Sequence, residues 1–256
     1  MEGGQRMPIT TTIAITAVGL LTILLPLGIM LFLRRRGGHW MTFLVGTGTF
    51  VLFALVLEPI LHSIVLGSGA GTAIQENILL YALYGGLAAG VFEETGRLFA
   101  FRFVLRGRRE RITALSYGIG HGGMEAFLLV GLTMMNNLAL GLSAGDPALP
   151  AEAAAAAETL LSTPASLFLW SGVERISAIT LHMANSVLVF ASLRTGKRWL
   201  FPAAIGTHAA VNFAAVAASA HLPVAATEAL VMAMSAAAAF WAAKIYQNLP
   251  ETAENA

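Results

Sequence analysis

Four apolar stretches of this 256-residue chain each carry two polar side chains four residues apart: Glu93/Arg97, His121/Glu125, His182/Ser186 and His208/Asn212. In a helix that spacing puts both members on one face, a turn apart. Charged side chains inside apolar segments are costly, so they face a protein interior and mark function. The set offers carboxylates, imidazoles, a guanidinium and an amide. Hydrolysis needs those groups: a base that takes a proton from water, and a donor that holds the oxyanion. Imidazoles beside a carboxylate, with a position left for water, equally suit a catalytic zinc ion. Gly86 and Gly90 precede the Glu pair, and Gly118, Gly120, Gly122 and Gly123 surround His121. Small residues let helices approach closely, and they leave room for water or a substrate backbone. A shared internal cavity is the expectation.

The composition defines the body that must hold these residues. Hydrophobic residues make up 57% of the chain and charged ones 11%, with a mean hydropathy of +0.73. A soluble domain carries about 25% charged residues. That difference excludes a soluble globular enzyme, a disordered chain and a nucleic-acid binder with a broad basic face. The absence of cysteine excludes disulfides, a thiol nucleophile and a thiolate-ligated metal. The chain reads as an all-α, polytopic membrane protein forming one integral-membrane domain over residues 1–256. A spanning helix needs roughly 20 apolar residues. Seven such spans are predicted, at 9–33, 40–66, 76–105, 112–142, 165–193, 199–220 and 224–246. The polar site is expected between the third, fourth, fifth and sixth. The first run is too long for a signal-peptide core and is read as a retained helix. A short surface helix is expected around the alanine run 153–157.

Charge sets direction. Arg34, Arg35, Arg36, Arg106, Arg108, Arg109, Arg111, Arg194, Lys197, Arg198 and Lys244 all fall on one side of the seven-span topology. Cytoplasmic loops carry the excess of Lys and Arg. The chain is therefore expected in a cell membrane as a multi-pass protein, with its N-terminus outside and its C-terminus cytoplasmic. Counting from the nearest basic loop at 1.5 Å per residue gives depth. Glu93 and Glu94 lie about 18–20 Å in, Arg97 about 14 Å, His121 and His208 about 15 Å, His182 about 18 Å, and Glu125 and Asn212 about 21 Å. Four spans thus place their polar residues in one layer near the membrane midplane. Chemistry is expected within reach of the cytoplasmic half.

These residues also carry a resemblance. Glu93-Glu94-Thr95-Gly96-Arg97 resembles the EExxR signature of YhfC-type intramembrane proteases, and Gly120-His121-Gly122-Gly123-Met124-Glu125 resembles their GHGGxE segment. His208-Ala209-Ala210-Val211-Asn212 is similar to the HxxxN motif of the wider superfamily, which includes CAAX prenyl proteases, PrsW and the APH-1 subunit of γ-secretase. The likeness covers roughly residues 85–215, with the motifs in order. It implies a multi-helix core that cleaves peptide bonds at or within the membrane. CAAX proteases usually have one more residue between the Glu pair and the Arg, so a prenylated substrate is not implied.

By that analogy Glu93 is the general base, with Glu94 as the fallback, and Arg97 keeps one carboxylate ionised and oriented. His121 and His208 hold the nucleophilic water or ligate a metal, His182 is the candidate third ligand, and Asn212 donates to the oxyanion. Glu125 is read as an outer carboxylate for His121. A zinc ion and a metal-free glutamate mechanism both fit the sequence. The expected partners are a membrane-protein or peptide substrate and the lipid bilayer, with no nucleic acid; the oligomeric state is open. Two other readings stand beside the protease. One is a proton- or cation-coupled transporter, which often shows internal repeats, absent here; the other is an inactive scaffold subunit. The plain alternatives are a buried self-neutralising pair for Glu93/Arg97 and satisfied core histidines for His121 and His208. Glu174 and Arg175 are read as surface or interhelical pairs near the outer interface, and Glu58 with Pro59, His62 and Glu228 as helix-kinking or capping residues of the outer half.

Overall fold

The computed structural model describes residues 6–251. Residues 1–5 and 252–256, on which the placement of the two termini turns, lie outside it. Among the described residues all regular structure is helical. The long helices are α1 (Ile9–Arg34), α2 (Trp40–Leu66), α4 (Ile78–Phe99, continuing through Ala100–Val104), α5 (Ile112–Leu142), α7 (Ala165–Thr195), α8 (Leu200–Ser219) and α9 (Val224–Gln247). Two shorter ones, α3 (Gly69–Glu76) and α6 (Ala151–Ser162), sit in connections on the same face. The alanine run falls in α6, while α3 is not foreshadowed by any apolar period. Six of the long helices are long and apolar enough to span a membrane. The seventh, α4, is long enough but carries Glu93, Glu94, Arg97 and Arg102. Its charge reflects the site it supports.

Local signals set the helix ends. The Asn77 side chain accepts the Leu79 and Leu80 amides at 3.0 and 3.2 Å, capping α4 one residue later than the hydropathy pattern predicts. At the other extreme α7 stops at Gly196, whose φ of 71° is the left-handed conformation glycine adopts most readily. π turns interrupt α2 at Phe53–Leu57 and α5 at Ala126–Gly131, and a third, Ala100–Val104, ends α4. Such turns are rare and frequent at functional sites. Here each one adjoins a charged part of the helix: Glu58 follows the first, Arg97 lies just before the second and Glu125 directly before the third.

Helix α7 is the centre of the bundle. Of its apolar window 72% is buried, against 17–33% for the other five apolar spans. α5, α9 and α1 pack along it, α2 packs on α5, and α8 packs on α4. Leu20, Leu24, Leu31 and Phe32 of α1 and Leu83, Leu87 and Val91 of α4 point outward. A belt of that kind faces lipid rather than water.

The helices carrying the polar residues are drawn together by glycine. A Cβ on Gly86 would lie 2.6 Å from the Ala209 carbonyl oxygen of α8, and one on Gly120 would run into the Phe43 carbonyl of α2. Neither obstacle is a side chain that can swing away. Gly120→Ala is therefore expected to cost about 1–3 kcal/mol, as overpacking of a tight interface does. A lowered thermal unfolding midpoint in detergent would show it.

Candidate functional site

Adjacent residues of a helix point about 100° apart, and α4 uses this to send its two glutamates to different neighbours. Glu93 turns toward α5, where its Oε2 lies 2.8 Å from His121 Nε2. The same carboxylate is 3.9 Å from His182 Nδ1 of α7 and 3.8 Å from His208 Nε2 of α8. Glu94 turns into the core, where its side chain has no exposure. It pairs with Arg97, accepts the His208 Nδ1–H at 2.8 Å and accepts the Asn185 amide at 3.1 Å. The sequence spacing couples Arg97 to Glu93. In the fold the guanidinium instead holds Glu94, three residues back, and donates to His182 Nδ1 at 3.1 Å.

Each histidine is oriented by a partner. With Nδ1 donating to Glu94, His208 presents a bare Nε2 toward Glu93. His182 receives Arg97 on Nδ1, so its Nε2–H faces the Glu125 carboxylate in close contact. Glu125 thus serves His182 rather than His121, the partner expected for it. The second oxygen of Glu125 accepts from Arg175 Nη1 at 2.8 Å, and Arg175 Nε donates to Glu174 at 2.6 Å. The three imidazoles form a fan, with ring centroids 4.8 Å apart for His121/His182 and 5.2 Å for His182/His208.

The fold brings Glu93, Glu94, Arg97, His121, His182, His208 and Glu125 into one network. Asn212 is half-buried and lines the same cavity as Glu93, His182 and His208, one turn beyond His208. Ser186 takes no part, since its hydroxyl donates to the His182 carbonyl of its own helix. Two members were not foreseen. Asn185 lies nine residues before Arg194, at the depth of the layer, and depth alone would have found it. Arg175 was assigned to the outer interface, yet it is buried on Glu125 from fifty residues away in sequence.

Glu93, His121 and His182 each offer one ligand atom, and these atoms lie within 4.8 Å of one another. Among the described residues no Arg or Lys side chain forms an ion pair with Glu93. A buried carboxylate that faces three imidazoles and pairs with no Arg or Lys is a nitrogen and oxygen donor set that fits a divalent metal ion, with His182 able to join it once Arg97 releases its Nδ1. His208 Nε2 borders that group on the other Glu93 oxygen. The metal set read from sequence was His121, His182 and His208; the tightest grouping puts Glu93 in place of His208.

Residues that orient a metal ligand influence affinity without touching the ion. An Arg175→Met variant is expected to bind a divalent cation about 10–100-fold more weakly, because Glu125 would lose the contact that holds it on His182. Competition with a graded chelator in detergent would measure it.

A bundle of apolar helices that buries a glutamate, three histidines and an arginine together is a membrane protein with a buried polar centre. The model of the YhfC intramembrane metalloprotease family matches residues 21–234, and the chain belongs to that family. It is 31% identical over 244 residues to the "uncharacterized membrane protein YhfC" of Bacillus subtilis (strain 168), covering 88% of this chain and 93% of that one. No solved structure matches it.

Proposed function

We propose that the chain is an intramembrane endopeptidase that hydrolyses a peptide bond of a membrane-protein or peptide substrate. The observation that carries this reading is the Glu93 carboxylate, set among three imidazoles on the floor of a cavity large enough for a peptide segment. Family membership supports the same chemistry.

Glu93 takes a proton from the attacking water as the oxygen bonds to the scissile carbonyl carbon. It returns that proton to the amine nitrogen as the carbon–nitrogen bond breaks. His208 keeps its bare Nε2 beside this exchange because Glu94 holds its other nitrogen, and Arg97 fixes Glu94. Asn212 donates its amide to the developing oxyanion, where a pre-aimed donor is worth most. His121 and the bare His208 Nε2 would hold a zinc ion beside one Glu93 oxygen, leaving the other oxygen as base, and His182 would join them only by giving up the Arg97 N–H on its Nδ1; when bound, the ion supplies Lewis acidity to water and carbonyl. Kinship with CAAX proteases, PrsW and APH-1 belongs to this reading too, through His208 and Asn212.

The test compares new protein N-termini, by mass spectrometry, in membranes of cells producing the wild-type chain or its Glu93→Gln variant. Termini that arise from membrane proteins only with the wild-type chain are expected. Identical profiles from two well-folded proteins would overturn the reading. Elemental analysis should find about one zinc per wild-type chain, lost on His121→Ala.

A further inference from the structure

The cavity above Glu93 has a volume of about 400 Å³. Its direction is legible from the positions of its walls. Glu93, Glu125, His182 and His208 form its inner end, and every other lining residue lies at their depth or farther from the arginine-bearing loops. None falls between the polar layer and Arg106, Arg111, Arg194 or Arg198. On that side the bundle is plugged by aromatic rings. Phe101, Tyr117 and Phe190 are fully buried, with Phe101 centroids 4.7 and 5.2 Å from the other two.

Toward the opposite face the walls change character. Leu66, Tyr81, Ala215 and Val216 form the mouth and are partly or largely exposed, near the helix ends that lead to α3 and the connection 220–223. Between mouth and floor stand polar groups that hydrate a passage: Glu174, Arg175, and His62, whose Nδ1 lies 2.8 Å from the Tyr84 hydroxyl and whose Nε2 lies 3.1 Å from Glu58. Gly85, Ala178 and Ala215 keep the bore open.

We infer that the site is reached from the face opposite the arginine loops, through a water-filled vestibule that admits an extended polypeptide segment from that side. The charge asymmetry of the loops makes that face the outer one. Chemistry expected near the cytoplasmic half is therefore served from the other compartment. The polypeptide nature of the occupant rests on the hydrolytic reading above, whereas the side of access does not.

The chain has no cysteine, so single-cysteine variants present one thiol each. Ala178→Cys and Ala215→Cys place it on the vestibule wall, and Leu87→Cys places it on the lipid face of α4 beside Gly86. Ala148→Cys and Gly107→Cys mark the two faces. Right-side-out and inside-out vesicles would be treated with a membrane-impermeant cationic methanethiosulfonate, and labelling read by mass spectrometry of the purified protein. Ala178→Cys and Ala215→Cys are expected to label from the compartment that labels Ala148→Cys. Their rate should exceed that of Leu87→Cys by about tenfold or more, since a charged reagent is excluded from hydrocarbon. Labelling from the Gly107 side, or none while the Ala148 variant reacts, would overturn the inference and leave hydrolysis standing. Outer-face labelling in a chain that generates no new termini would sink the hydrolytic reading and keep the access route.

Discussion

Glu93→Gln is expected to reduce substrate cleavage by about 10³-fold or more, with folding intact. Loss of a positioned general base costs on the order of 10²–10⁴ in rate, and the amide also removes an anionic donor from the group formed with His121 and His182. Stability should hold because Glu93 neutralises no arginine or lysine, and glutamine preserves its shape. Of its neighbours, His182 and His208 are held by Arg97 and Glu94, and His121, whose only polar partner is Glu93, keeps a hydrogen bond to the glutamine amide. Cleavage and monodisperse elution measured on one preparation decide the matter. Glu93→Asp keeps the charge but withdraws it by one methylene, so intermediate activity is expected. Full activity in Glu93→Gln would move the base to another carboxylate, and Glu94→Gln is the comparison that would reveal it.

Arg97→Met is expected to act on stability instead. Arg97 and Glu94 have no exposed side-chain surface, and the guanidinium also supports His182. Removing one partner of a buried pair leaves the other charge uncompensated, at a cost of about 3–5 kcal/mol. A protein of ordinary stability holds about 5–15 kcal/mol in all, so the variant should melt far lower in detergent or fail to accumulate. The double variant Arg97→Met, Glu94→Gln removes both charges and should recover much of the loss. Recovery of fold without recovery of cleavage would separate the structural work of the pair from its orientation of His208 and His182.

The spans and their polar layer were legible in the sequence because both follow from length and depth. An apolar run of about 20 residues has little choice but to cross a bilayer as a helix. Counting from Arg106, Arg111, Arg194 and Arg198 then ranks Glu93, His121, His182 and His208 without knowledge of the packing. The pairings were not legible. An i, i+4 spacing states that Glu93 and Arg97 share a face, but which helix meets that face depends on how α4 turns against α5, α7 and α8. The actual turn sends Glu93 to His121 and leaves Arg97 with Glu94 and His182. Arg175 escaped for a related reason. Its depth placed it toward the outer end of α7, and only the packing of α5 on α7 brings Glu125 down to it.

The three π turns have a consequence for how such a molecule can change. A π turn holds more residues than an α turn, so residues beyond it are rotated by about 100° for each extra one. In α5 the segment before Ala126–Gly131 presents His121 and Glu125 to the site, while the segment after it presents Met135 and Leu142 outward. In α4 the π turn closes the helix instead, with Glu93, Glu94 and Arg97 before it and Phe103 outward within it. The turns inside α2 and α5 each work as a phase shifter between two sectors of one rod. A one-residue deletion there would restore regular winding and swing the outer sector around its axis, while the sector that holds the chemistry keeps its aim.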